Sequence, residues 1–158
     1  MASLGGVAIT REEATQRILD ELAAANDRLA LAVECLGQAY ELLSVDSADR
    51  LEAELFRPVQ KAYGRGKRTH AQFAQRTGFA AHEVEPPSAG RTSQGVQAFV
   101  ERAVEASADA GQMIAELQDS MLPIESGDPE LRAGLSEVRA LLEELPGPAR
   151  QFLSTLGR

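Results

Sequence analysis

Apolar residues return at alternating steps of four and three along most of the chain. Ile18, Leu22, Ala25, Leu29, Ala32, Leu36, Tyr40 and Leu43 form the first such series. That spacing lines one helix face and marks a seam packed against other helices. Thr10 followed by Glu13 is a capping-box pair, in which each side chain satisfies an amide that the first helical turn leaves free. A first helix is therefore predicted over about residues 11–44. Val45-Asp46-Ser47 is a short link, so the next helix is expected to fold back antiparallel.

The second helix is predicted over about 48–77, with Phe56, Val59, Tyr63, Gly66, His70 and Phe73 on its seam. Pro58 lacks an amide hydrogen and its ring crowds the preceding turn, so a kink or short break is expected near Glu54 to Pro58. Gly64 and Gly66 each weaken this helix by roughly 1 kcal/mol relative to Ala. Pro86-Pro87, Ser88, Gly90 and Thr92 make the stretch 78–95 a long loop. A third helix is predicted over about 93–122, with Val96, Phe99, Ala103, Ala106, Ala110, Met113, Leu117 and Ile124 in series and Pro123 as its stop. Its alanine-rich middle suits close approach, with the glycines of the second helix placed to face it. Asp128-Pro129 restarts the chain as a cap followed by a residue suited to the first turn. Leu131, Leu135, Val138, Leu142 and Leu145 carry a fourth helix over about 129–145, and a short helix at 148–156 follows Pro146-Gly147-Pro148. The expected fold is all-α: an elongated antiparallel four-helix bundle of two helical hairpins joined by a long loop. Residues 1–10 are read as a flexible tail and 11–158 as a single domain.

Aromatic residues make up only 4 % of the sequence and there is no Trp, so Leu, Ala and Val must fill the core, as helices allow. Cys35 is the only cysteine, which rules out an internal disulfide and suits a reducing compartment. No stretch approaches the ~18 apolar residues of a membrane span, and the first residues lack a signal-peptide pattern. An intracellular setting, cytoplasm or nucleus, is expected.

The net charge is −8, and it is unevenly spread. From Arg57 to Phe79 the chain holds Arg57, Lys61, Arg65, Lys67, Arg68 and Arg76 and no acid, which leaves −14 for the rest. At 100° per residue most of these cations share about a third of the helix circumference, nearly opposite the seam. They form a basic stripe expected to face solvent. On the first helix Glu13, Asp20, Asp27, Glu34 and Glu41 stand seven residues apart and form an acidic stripe. A solvated face accounts for either stripe alone. Together they also suit docking of an acidic or helical protein partner, or of a second copy as a homo-oligomer. Nucleic acid fits less well, because the surrounding negative charge repels a long polyanion.

Residues that commonly carry chemistry are scarce. His70 is followed by Ala71-Gln72-Phe73 and lies on a seam, as a boundary or core histidine would. His82 with Glu83 and Glu85 makes at most a weak metal-like group in the long loop. Neither histidine has a Glu three residues before it, as a di-iron bundle requires. HExxH, CxxC, a glycine-rich phosphate loop and a nucleophile elbow are all missing from the sequence. Cys35 stands one step from the seam with no basic neighbour in sequence, which suits a buried thiol. No catalytic, metal or cofactor residues are assigned. The expectation is a non-enzymatic interaction module, an adaptor or assembly subunit, with the basic stripe as its docking surface; anionic-ligand or nucleic-acid binding by the same stripe is the alternative.

Overall fold

The computed structural model describes residues 9–81, 88–90 and 94–156. All regular structure among them is helical: α1 Arg11–Leu42, α2 Val45–Leu51, a π-helical turn Glu52–Phe56, α3 Arg57–Thr77, α4 Val96–Asp119, α5 Leu122–Glu125, α6 Pro129–Glu143 and α7 Pro146–Leu156. The all-α helical bundle expected from the apolar spacing is the fold observed. Of the expected tail, residues 1–8 lie outside the described residues, as does the group of His82, Glu83 and Glu85.

Helix α1 begins at the expected capping box. Thr10 Oγ1 accepts from the Glu13 amide at 3.0 Å, and the Thr10 amide donates to Glu13 Oε1 at 3.2 Å. The helix stops at Leu42, and Leu43 turns extended with ψ 156°. The chain thus reverses at Leu43-Ser44, and Val45, Asp46 and Ser47 form the first turn of α2 instead of the link. Pro58 produces the expected irregularity in a specific form. The Arg57 amide bonds to the Glu52 carbonyl five residues back, so the wider π turn takes up the proline without ending the helical path.

The α4 end shows a different use of proline. Its helical path stops at Asp119, three residues short of the expected end, and Met121 takes a left-handed conformation with φ 69°. Pro123 would bring its ring against the carbonyl four residues earlier, so the chain leaves α4 and restarts as α5 with Pro123 in the first turn. Ile124 consequently falls off the α4 seam and is half exposed, at 50 %. At the next junction Asp128 caps α6 by accepting from the Leu131 amide at 3.0 Å. Helix α7 starts at Pro146, two residues earlier than expected.

Helix α1 packs along α4 and α3, and α6 completes the ring by packing on α3 and α4. Each junction pairs later residues of one helix with earlier residues of the next. Arg28 of α1 meets Asp109 of α4, and Asn26 and Gly37 of α1 meet Gly66 and Phe56. Arg65, Thr69 and Arg76 of α3 meet Glu137, Gly134 and Asp128 at α6. Gly111 and Gln118 of α4 meet Leu142 and Ser136 of α6. The neighbours are therefore antiparallel. The seam residues of α1 from Ile18 to Leu36 are buried, as are Phe73, Phe99, Leu117, Leu131, Leu135 and Val138. Phe152 of α7 joins the same core cluster beneath Arg50, whose guanidinium stands 5.5 Å from the ring centroid.

Candidate functional site

The six cations of the basic stripe do not share one environment. Arg65 and Arg76 lie on the flank of α3 that faces α6. Arg65 Nε donates to Glu137 Oε2 at 2.7 Å and Nη1 to Thr69 Oγ1 at 3.1 Å, and its side chain is only 19 % exposed. Arg76 grips Asp128 with two bonds of 2.8 and 2.9 Å and reaches Glu130 at 3.0 Å. The expectation that the whole stripe faces solvent is corrected for Arg65; Arg76 remains exposed, with its guanidinium held by acids at the start of α6. Both arginines sit about 80–100° round from Arg57 at 3.6 residues per turn, on the border of the buried face, and the acids of α6 stand opposite that border.

The remaining cations are on the outer side. Arg57 pairs with Glu52 at 3.1 Å while remaining exposed. Lys67 places its ammonium 4.2 Å from the Tyr63 ring centroid, a cation–π contact on the side toward α1. Lys61 and Arg68 are exposed, and among the described residues no carboxylate lies within ion-pair distance of either. Gln60, Ala71, Gln72 and Gln75 are their exposed neighbours on α3. This outer ridge carries positive charge and no acid.

The acidic stripe of α1 comes nearest α3 at Tyr63, on the side away from Lys61. Glu13, Asp20 and Glu41 are exposed, whereas Asp27 and Glu34 are half-buried at the border with α3. Asp20 accepts from Gln16 at 2.8 Å, and Glu13 is held by the capping box. Burial raises the Tyr63 phenol above its usual pKa, and the negative charges of Asp27 and Glu34 push it further the same way. The Tyr63 hydroxyl therefore stays protonated at neutral pH.

The chemistry-bearing residues are built into the core. Cys35 is fully buried, and burial raises its thiol pKa, with smaller opposing effects from Arg102 and Arg28 and a raising one from Glu34. A thiol held protonated and away from solvent is a poor nucleophile. His70 is buried on α3. Among the described residues no group of three or more His, Cys, Asp and Glu side chains is placed to hold a metal ion, and no helix is long and apolar enough to cross a membrane.

Polar interlocks inside the seams escape a pattern-based reading. A methyl group at Gly66 would overlap Asn26 Oδ1, and one at Gly134 would overlap the Thr69 hydroxyl. Gly66 thus admits Asn26 of α1, not the alanine face of α4, and Gly64 points outward beside Arg68. Small residues at seam positions were the available signal, but which helix would fill each notch depends on the packing order. Asn26 and Ser107 are both buried, and their Oδ1 and Oγ atoms have no hydrogen-bond partner among the described residues.

A cleft of about 560 Å³ opens at the end of the bundle where α1 starts, α3 ends and α6 starts. Thr15, Phe73, Leu122, Arg76 and Asp128 are in its lining. Its volume suits a small molecule; Arg11, Glu12 and Glu125 line it as well, while its Arg76, Asp128 and Thr77 side chains are committed to the fold. Arg76 and Asp128 hold each other, Asp128 caps α6, and the Thr77 hydroxyl donates to the Phe73 carbonyl. Burial pushes the Asp128 carboxyl pKa up, but the Arg76 hydrogen bond, the Leu131 and Glu130 amides and the Arg76 charge outweigh it and hold the group below its usual range.

No family model matches the chain, and no curated protein or solved structure is detectably similar to it.

Proposed function

We propose that this protein is a non-enzymatic interaction module, an intracellular adaptor or assembly subunit, that docks a protein partner on the outer ridge of α3. The observation that carries the reading is the state of Lys61 and Arg68. Both are exposed on an acid-free helix face, and no carboxylate among the described residues pairs with them. Arg65 and Arg76, in the same run of sequence, are taken up by α6. Exposed charge of one sign with no internal partner adds little to folding stability, and it steers association with a surface of opposite sign. An acidic protein surface suits the ridge better than a long polyanion, because the ridge is short and is flanked by the carboxylates of α6.

The test is affinity purification from the native cell with wild type and with Lys61→Glu/Arg68→Glu, scoring proteins and nucleic acid separately. Proteins lost only from the variant support the reading. Loss of nucleic acid alone transfers the ridge to the alternative of anion binding. Identical recoveries contradict a docking role for the ridge.

A further inference from the structure

The cleft at the start of α1 is walled by α1, α3 and α5, and each wall is graded in the same direction. On α1, Glu12, Thr15 and Ile18 stand three residues apart; Phe73 and Arg76 do so on α3, and Leu122 and Glu125 on α5. That step keeps side chains on one helix face and advances about 4.5 Å along the axis. Ile18, Phe73 and Leu122 are buried, whereas Glu12, Arg76 and Glu125 are exposed. The cleft is thus apolar at its floor and charged at its rim.

The hydroxyls of the lining differ in state. Thr10 accepts from the Glu13 amide in the capping box, Thr77 donates to the Phe73 carbonyl, and Ser126 donates to the Pro123 carbonyl. Thr15 is only 7 % exposed and lines the cleft, and its side chain makes no hydrogen bond among the described residues. An enclosed hydroxyl without a partner is costly, and a polar atom held in the cleft can supply the missing bond.

The charged groups favour one sign of ligand. Arg76 is engaged by Asp128 and Glu130, and Thr10 holds the Glu13 amide of the helix start. An anion would therefore find Arg11 alone, with Glu12 in the same turn. A cation finds Glu12 and Glu125, and neither has an ion-pair partner among the described residues. The partial positive charge at the start of α1 is offset by Glu12 and Glu13 in its first turn.

We infer that this cleft is a binding site for a small aromatic amine. The ring system lies against Phe73, Leu122 and Ile18, a polar ring atom meets the Thr15 hydroxyl, and the protonated nitrogen sits at the rim beside Glu12 and Glu125. Thr15 lies one step deeper than Glu12, so a two-carbon link between ring and nitrogen matches the roughly 4.5 Å between their levels. About 560 Å³ accommodates a bicyclic ring. The site uses neither Lys61 nor Arg68, so it stands or falls apart from docking on the α3 ridge.

The probe is tryptamine, an indole joined to an ammonium by two carbons, titrated into the isotope-labelled full chain and followed by amide chemical shifts. Saturable shifts are expected to gather round Thr15, Phe73 and Leu122. Indole-3-propionate, which carries a carboxylate in place of the ammonium, is expected to bind at least about fivefold more weakly. Thr15→Val with tryptamine, and 1-methyltryptamine with wild type, are each expected to lose about fivefold to tenfold in affinity, because both remove the bond to the hydroxyl. Glu12→Gln/Glu125→Gln is expected to remove the preference for the amine while circular dichroism stays unchanged. Shifts that fail to saturate at millimolar tryptamine, or that gather elsewhere on the bundle, overturn the inference. So does equal binding of the amine and the carboxylate, or full affinity of wild type for 1-methyltryptamine, which tests the Thr15 bond without altering the fold.

Discussion

The two sides of α3 carry the same kind of residue and use it in opposite ways. On the flank toward α6, Arg65 and Arg76 are ordered by Glu137, Asp128 and Glu130. On the outer ridge, Lys61 and Arg68 meet no carboxylate among the described residues. A run of cations without acids is therefore not one feature. Its members divide by helical angle, and about 60° of rotation separates a residue that fastens two helices from one available to a partner.

Variants that attack the packed side sharpen the contrast most strongly. Leu29→Asp is expected to abolish cooperative unfolding in urea, because it puts an unpaired charge at a fully buried seam position. Gly134→Val forces a side chain into Thr69 and is expected to lower stability by about 1–3 kcal/mol in the same assay. Asp128→Asn is expected to cost about 1 kcal/mol at neutral pH, because it keeps a capping oxygen but loses the charge that Arg76 grips.

That last variant also carries a pH signature. The folded Asp128 carboxyl titrates below its ordinary value of 3.8, so the stability it contributes is fully present above that value. The contribution is lost as pH falls below 3.8 toward the folded pKa, where the carboxylate takes up a proton. Thermal melts of wild type and Asp128→Asn are expected to differ most near neutral pH and to converge as pH falls below 3.8 and through the folded pKa. A constant difference across that range would place the stabilisation in shape, not charge.

Much of the packed side could be read from the sequence. Leu29, Leu117 and Leu135 sit on seams because only one face of a helix with 3.6 residues per turn can be continuously apolar. The trouble spot near Pro58 was legible because a missing amide and a crowded ring have local consequences. Its resolution as a π turn was not, because the choice between kink and widened turn depends on how Leu55 and Val59 meet the core on either side. The division of the basic stripe was also out of reach. Arg65 is close in angle to Lys61, and it becomes an inward residue only once α6 brings Glu137 alongside. Asn26 interrupts the apolar pattern of α1 without revealing that Gly66 receives it. Local chemistry thus fixes helices and seams, while the identity of each neighbour comes from packing.

The most direct measurement is a urea unfolding comparison of Lys61→Glu/Arg68→Glu with Arg65→Glu/Arg76→Glu under identical conditions. The ridge pair is expected to change stability by less than about 0.5 kcal/mol. The flank pair is expected to cost about 2 kcal/mol or more, because each reversal sets like charges together at the α3/α6 border. Equal losses in both variants would contradict the account, because the ridge would then be part of what holds the fold together and not a surface left for a partner.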